Sequence, residues 1–469
     1  MNGLSGEMIS PERLSDLFIT SQGALSKDET PAMAALRSRA IGHFTRMGFP
    51  TQKLEEWKNT DLAESLGRRW DYPMESKAGA DFHKVFRCNI PHLDTAILGM
   101  LNGWYVSKDV PLMKLGNGII MGSLAEAKKK YPELVEKYYG QFADDAQAGF
   151  TALNTAFALD GIFIFVPDNV RSPKPVQMIN VIQSDRELFL QSRNLILLGK
   201  NSSLSIVHCD DSYNHNPSFS NIVTEIHLDD HARLDHYKLQ NLNDSSSLVS
   251  SLYFGLEQGA AVDSHFLSLN GGLLRNNIRL LFNGPSGSAN FNGLYLMDRK
   301  QHIDNHVFVD HKATDCASTE LFKGILDENA SGVFNGHVLV RRDAQRTNAY
   351  QSNRNILLTD TAKVNSKPFL EIYADDVKCS HGSTTGQLDP ESMFYLRQRG
   401  ISEESARMLL MFAFADEVVS KIAIPQLKNR IEDMVKKRLQ GELQICEQCV
   451  LHCNTPEHPV DFQIDISKI

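Results

Sequence analysis

From Gly161 to about Gly382 the chain consists of short β-branched and aromatic runs broken by Gly, Asn, Asp and Ser. A polar turn carrying a small residue, followed by a new apolar run, returns as KNSSL, DDHARL, EQGAAV, GPSGSA, DENASGV and TDTAKV. Measured on Ser202, Ala232, Ala260, Ser288, Ala330 and Ala362, the steps are 30, 28, 28, 42 and 32 residues. Runs such as GIFIFVP, NLILLGKNSSLSIVHC and SGVFNGHVLVRR leave little room for helix. Short strands at a near-fixed step predict coils stacked along one axis, a β-helix, with small residues at the tight corners where successive coils touch. The 42-residue step predicts an insertion or an unread coil. A β-sandwich is the alternative, since its strands also recur between regular turns.

The flanks have a different texture. Residues 1–150 read as mainly helical: PERLSDLFITS, PAMAALRSRAIGHFTRM and AEAKKKYPELVEKYYGQFADD carry apolar residues at three- and four-residue spacing. Residues 82–121 hold only short mixed runs. The β-helix reading covers 151–386, and helices return over 387–440, with Pro390 and Pro425 suited to first turns and Ser402 a candidate N-cap. Residues 441–469 form a separate Cys-rich tail. No apolar stretch is long enough to cross a membrane, and MNGLSGEMISPERL has no basic start followed by an apolar run, so a soluble cytoplasmic protein is expected. A net charge of -9 without a long basic block argues against a nucleic-acid partner. Seven cysteines, an odd count, are read as reduced thiols.

Three constellations could carry chemistry. KPFLEIYADDVKCSHG places Cys379 and His381 two apart at the end of a strand run, so both side chains share one face. Thiolate and imidazole both ligate iron, but two ligands do not complete a cluster site, which takes about four. The structural alternative is a buried thiol and a hydrogen-bonded imidazole closing the last coil. HIDNHVFVDH puts His302, Asp304 and His306 on one strand face, with Asp310 and His311 beyond, either as metal ligands or as polar packing between coils. In the tail, CEQCVLHC spaces Cys446, Cys449 and Cys453 as C-x2-C-x3-C, with His452 among them and His458 nearby. That set could hold zinc or iron, form a redox pair or be inert. No G-x-x-x-x-G-K-[ST], G-x-S-x-G or H-E-x-x-H word occurs, so any ATP-driven role must use another polypeptide.

Across nearly its whole length the chain resembles the SufB/SufD family of the SUF iron–sulfur cluster assembly machinery. The resemblance rests on GFPTQKLEEWKNTDL, on FTALNTAFALDGIFIFVPDNV, on HVFVDHKATDCASTELFKGIL and the block from GVFNGHVLVRR through KCSHG, and on LDPESMFYLRQRGIS. It implies a right-handed parallel β-helix between helical domains, and a non-catalytic scaffold. It implies a SufC-like ABC ATPase docked on the helices between Leu388 and Leu439, and a SufB-like paralogue paired through the β-helix end. A transient cluster or iron would then form at that junction, with no nucleotide on this chain. His381 falls on the family's functional histidine and Cys379 on its neighbouring cysteine. The C-x2-C-x3-C tail lies outside the family pattern, and a homodimer in the absence of the sister subunit stays open. Two other functions compete. A β-helix carbohydrate-active enzyme would need paired carboxylates on one face, whereas Asp375 and Asp376 are adjacent and in a strand would point oppositely. A pure ATPase adaptor would have no metal role.

Overall fold

The computed structural model describes residues 5–75, 90, 92–107, 110–143, 145–146 and 148–440. The N-terminal region holds β1 (Glu7–Met8), α1 (Pro11–Leu25), α2 (Pro31–Met47), α3 (Ala63–Leu66) and β2 (Arg69–Trp70). Then come β3 (Ala96–Leu101), β4 (Trp104–Val106), β5 (Leu112–Lys114), β6 (Ile120–Ser123), α4 (Leu124–Lys130), α5 (Pro132–Tyr138) and α6 (Gly149–Phe157). The central strands are β7 (Ile162–Val166), β8 (Val176–Ile182), β9 (Leu188–Leu198), β10 (Ser203–Ser212), β11 (Ser218–Leu228), β12 (Arg233–Asn241), β13 (Ser247–Leu256) and β14 (Ala261–Asn270). They continue as β15 (Leu273–Phe282), β16 (Ser288–Met297), β17 (His302–His311), β18 (Ala317–Leu326), β19 (Ser331–Val340), β20 (Thr347–Leu357), β21 (Lys363–Ile372) and β22 (Val377–Gly386). Helices α7 (Pro390–Gln398), α8 (Glu403–Val419) and α9 (Pro425–Leu439) follow. Side chains of Ser10, Thr30, Asp389 and Ser402 accept from backbone N–H groups of the first helical turns of α1, α2, α7 and α8, which fixes where those helices begin.

Even-numbered strands from β8 to β22 form one parallel sheet, and odd-numbered strands from β7 to β21 form the other. Each coil lays one strand in each sheet, which makes the core a β-solenoid. Ser203, Arg233, Ala261, Ser288, Ala317 and Asn348 are successive register partners, at steps of 30, 28, 27, 29 and 31 residues. The apparent 42-residue step therefore hides no insertion. Ser202, Ala232, Ala260 and Ser288 mark corners leading into the even sheet, whereas Ala330 and Ala362 lead into the odd one. The even-sheet corner between them is Cys316, a small residue of another kind, its Sγ 3.5 Å from the Gly284 carbonyl oxygen.

The even-sheet corners share one device. Asn201, His231, Gly259, Ser286, Asp315 and Arg346 all have φ between 49° and 65°. Each donates its backbone N–H to a carbonyl of the next coil at 2.6–3.0 Å, from Asn201 to Asp230 at the first and from Arg346 to Asp376 at the last. The next residue is small and buried at five of these corners, and Thr347 at the sixth. Positive φ turns the chain tightly, and the short side chain lets the coil above sit close.

Alternation then sorts the side chains. In β16 and β18, Phe291, Tyr295, Phe322 and Leu326 face the solenoid interior, while Leu294, Leu296, Leu321 and Ile325 face outward. The outward rows of the even sheet are covered by α8 and α9 through Met408, Met411, Ala415, Val418, Ile431 and Val435. The outward rows of the odd sheet are covered by the N-terminal helices, with Phe44, Phe150 and Phe157 against Phe189, Phe219 and Val249. Buried Arg193 ties this flank down: it pairs with Glu225, donates to Thr155 Oγ1 at 2.8 Å and lies 4.4 Å from the Tyr139 ring.

The N-terminal region is not helical throughout. Residues left without clear pattern supply β3 to β6, which extend both sheets. Three-residue β4 runs antiparallel to β3, and β5 antiparallel to β6. These strands are too short for an alternating signature because they close the stack rather than form a coil. Short antiparallel edges are one of the ways a sheet end is blunted against further pairing.

Gly293 lies on the interior row opposite Phe322, and a Cβ there would fall 2.1 Å from the phenyl ring. Gly293→Val should cost about 1–3 kcal/mol through overpacking, read as a lower denaturant midpoint. An unchanged midpoint would refute this account of the core.

Candidate functional site

The far end of the solenoid is different. β21 and β22 are the last strands of their sheets, and each is paired on one side only, to β19 and β20. Among the described residues, no strand pairs with the two outer edges or spans the interior between them. On β22, Val377 and Cys379 pack against the interior core, so alternation places His381 on the same inward row. His381 is exposed because the stack ends there, not because it points outward. The structure thus brings Cys379 and His381 onto one face. Cys379 is half-buried, and burial pushes its thiol up, away from the thiolate form.

The floor beneath them is polar. His381 is the register partner of Gln351 on β20, which is the register partner of Glu320 on β18. Both inner residues are buried, Gln351 at 0 % and Glu320 at 1 % exposure. Gln351 Nε2 donates to Glu320 Oε2 at 2.8 Å. Burial pushes the Glu320 carboxyl up to about 8, so it is neutral at pH 7. Beside this row, Asn353 Nδ2 donates to Tyr295 Oη at 3.3 Å, and Ser366 Oγ donates to Asn353 Oδ1 at 2.8 Å. Ser366 and Ser383 meet at 2.8 Å, joining the last strands of the two sheets across the interior. Sequence reasoning missed these residues. The available signal was the replacement of apolar residues by Gln351, Asn353 and Asn355 at alternate positions of one strand.

The histidines of β17 belong elsewhere. Ile303, Val307 and Val309 face the interior, so His302, Asp304 and His306 face outward, under the segment that carries Trp57 and Thr60. Thr60 Oγ1 lies 2.9 Å from His302 Nε2 and also donates to Asp304. Arg275 pairs with Asp304, donates to the Glu56 carbonyl at 2.8 Å and sits 4.2 Å from the Trp57 ring. Burial alone would raise the Asp304 carboxyl, but the Arg275 guanidinium, with His306 and Thr60, holds it well below the usual carboxylate range. This cluster clasps the EEWKNTD segment to the odd sheet. Asp310 makes a two-pronged pair with Arg341, and His311 stacks on Phe282 inside the core. Among the described residues, no group of three or more His, Cys, Asp and Glu side chains is placed to hold a metal ion. Asp375 and Asp376 lie in the turn between β21 and β22. Cys446, Cys449, Cys453 and His452 lie outside the described residues.

Among the described residues the architecture is a two-sheet parallel solenoid flanked by helices, with short antiparallel strands at one end and His381 at the unpaired other end. Two family models match the chain. Residues 180–414 match the SufBD core domain of SUF system FeS cluster assembly, and residues 8–178 match the SufBD protein N-terminal region. An iron–sulfur cluster assembly SufBD family protein of Synechocystis is 30% identical over 431 residues, covering 90% of this chain and 94% of the relative. The iron–sulfur cluster assembly protein SufD of Escherichia coli is 28% identical over 84% of this chain and 90% of its own, and that of Bacillus subtilis 26% over 69% and 74%. The chain belongs to the SufB/SufD family of non-catalytic iron–sulfur cluster assembly proteins and is closely related to SufD homologues.

The Glu320 carboxyl gives a signed test. Its folded pKa lies above the unfolded value, so its contribution is fully present below about pH 4.5 and is lost as pH rises toward 8. Glu320→Gln removes that loss. Its stability relative to wild type should grow by roughly 3–5 kcal/mol between pH 5 and pH 8 and then level off. Parallel stability curves for the two proteins would refute the buried neutral acid.

Proposed function

We propose that this chain is a scaffold subunit of a SUF complex, paired at its open end with a SufB-like sister subunit and joined through its C-terminal helices to a SufC-like ABC ATPase. The observation that carries the reading is the asymmetry of the stack, blunted at its first coil and open at its last. Unpaired parallel edges favour another strand-bearing end as their partner. Ile372 and Tyr373 are exposed beside that end. His381 supplies one imidazole, and Cys379 beside it a thiol that must lose its proton before it can ligate. Two ligands leave an iron ion incomplete, so the sister subunit must bring the others. Iron or the nascent cluster is cargo at this junction.

The ATPase reading rests on α7, which has no buried residue and exposes Phe394 and Tyr395 at 65% and 58%. Neighbouring aromatics of this kind suit a partner's groove. The helices are coupled mechanically to the site. Glu417 of α8 pairs with Lys323 on β18 and lies 3.4 Å from Arg354 on β20. These are the strands that carry Glu320 and Gln351. A pull on the helices by two ATPase subunits closing on ATP would therefore reach the open end through two ion pairs. The Cys446, Cys449, Cys453 and His452 set remains a candidate zinc or iron site beyond the family pattern.

The two surfaces separate in a copurification experiment from the native host without oxygen. Phe394→Ala with Tyr395→Ala should lose the ATPase and keep the paralogue. Ile372→Lys with Tyr373→Lys should lose the paralogue and keep the ATPase. Recovery of a second copy of this chain in place of the paralogue would assign the open end to a homodimer. His381→Ala should leave both partners bound and abolish cluster assembly, and intact assembly would remove the ligand role.

A further inference from the structure

Glu320, Gln351 and His381 form one inward row running from the core to the open end. Register partners on neighbouring strands lie about 4.8 Å apart, within reach of an imidazole. Gln351 is held from two directions. Its Nε2 is bound by Glu320, and the side chain lies against Gly336 of the opposite sheet, where a Cβ would fall 1.9 Å from Nε2. The glycine thus makes the slot in which the amide rests. With Nε2 committed, Oε1 is the free end of the amide, and among the described residues it is buried without a partner, as is Glu320 Oε1 one layer below. An unpaired buried acceptor is costly and calls for a donor. His381, on the next strand of the row, carries one.

We propose that Gln351, fixed by Glu320, is a positioning residue for His381: its Oε1 accepts from one imidazole N–H and so turns the other nitrogen, unprotonated, toward incoming iron. The proposal rests on the reading of His381 as an iron ligand. A histidine bound to metal generally donates its second N–H to such an acceptor, which sets the tautomer and the ring angle. Glu320 suits the task because it is neutral. An ionised carboxylate at this depth would need a counter-charge, whereas the neutral acid orients the amide without one.

The test uses the full chain purified with its partners without oxygen, titrated with ferrous iron against a competing chelator, with Co(II) absorption as a second probe. Gln351→Leu should weaken ferrous binding about 10–100-fold and alter the Co(II) spectrum, with partner content and circular dichroism unchanged. Glu320→Gln, which retains an acceptor for Nε2, should bind within about threefold of wild type, as a neutral orienting group requires. His381→Ala should abolish binding. If His381→Ala loses iron while Gln351→Leu binds normally, the positioning role is wrong and the ligand reading stands. Normal binding by His381→Ala overturns both. Should Gln351→Leu fail to fold, Gln351→Met, unbranched and of similar length, replaces it, and wild-type binding by that variant overturns the proposal equally.

Discussion

Everything in this molecule depends on the parallel backbone ladder that joins each coil to the next. A parallel ladder needs a crossover between every pair of strands, and here the crossover is a strand of the other sheet. The two sheets therefore grow together and cannot slip independently. Corners such as His231–Ala232 and Asp315–Cys316 hold the layers in step, with left-handed backbone at the first residue and a small buried side chain at the second. A ladder of this kind also has no natural end, so each terminus of the stack must be dealt with separately. At the first coil short antiparallel strands and helices do so. At the last coil nothing within the described chain does, and this is where His381 stands.

Stacking also explains how a narrow interior tolerates polar groups. Residues at one position of successive coils sit directly above one another, so a polar side chain finds its partner one layer away. Lys238 reaches Asp210 at 2.7 Å, and Asn276 reaches Asn305 at 2.9 Å. Glu320 and Gln351 follow the same rule near the open end. In this row Glu320 Oε1 and Gln351 Oε1 are both buried without a partner, and the Gln351 acceptor lies one layer below the exposed end. The flanking helices enter the same scheme through α8, whose Glu417 contacts the two strands that carry the row.

Much of the fold was legible because its signals are local. Turns, small residues and β-branched runs recur in the sequence, and the KCSHG word marks the last coil. The misread step between Ser288 and Ala330 shows the limit of that legibility: the corners of two sheets alternate along the chain, and Cys316 breaks the expected Ala or Ser. The HIDNH run shows the limit for sites. Ligand-type residues on one strand face were apparent, but the face is outward and filled by Arg275, Trp57 and Thr60, and no local pattern reveals what covers a strand from 240 residues away.

By itself the sequence determined the repeat, the helical flanks, the pairing of Cys379 with His381 on one face and the family to which the chain belongs, since each is written in neighbouring residues or in a long contiguous match. Only the tertiary structure decided that His381 lies at an unpaired end, that Gln351 and Glu320 stand beneath it, and that Asp304 serves to clasp the N-terminal segment. The physical reason is register. Residues some 30 positions apart become neighbours only when the coils stack, and a shift of one residue in any corner would have turned each of these side chains to the opposite face.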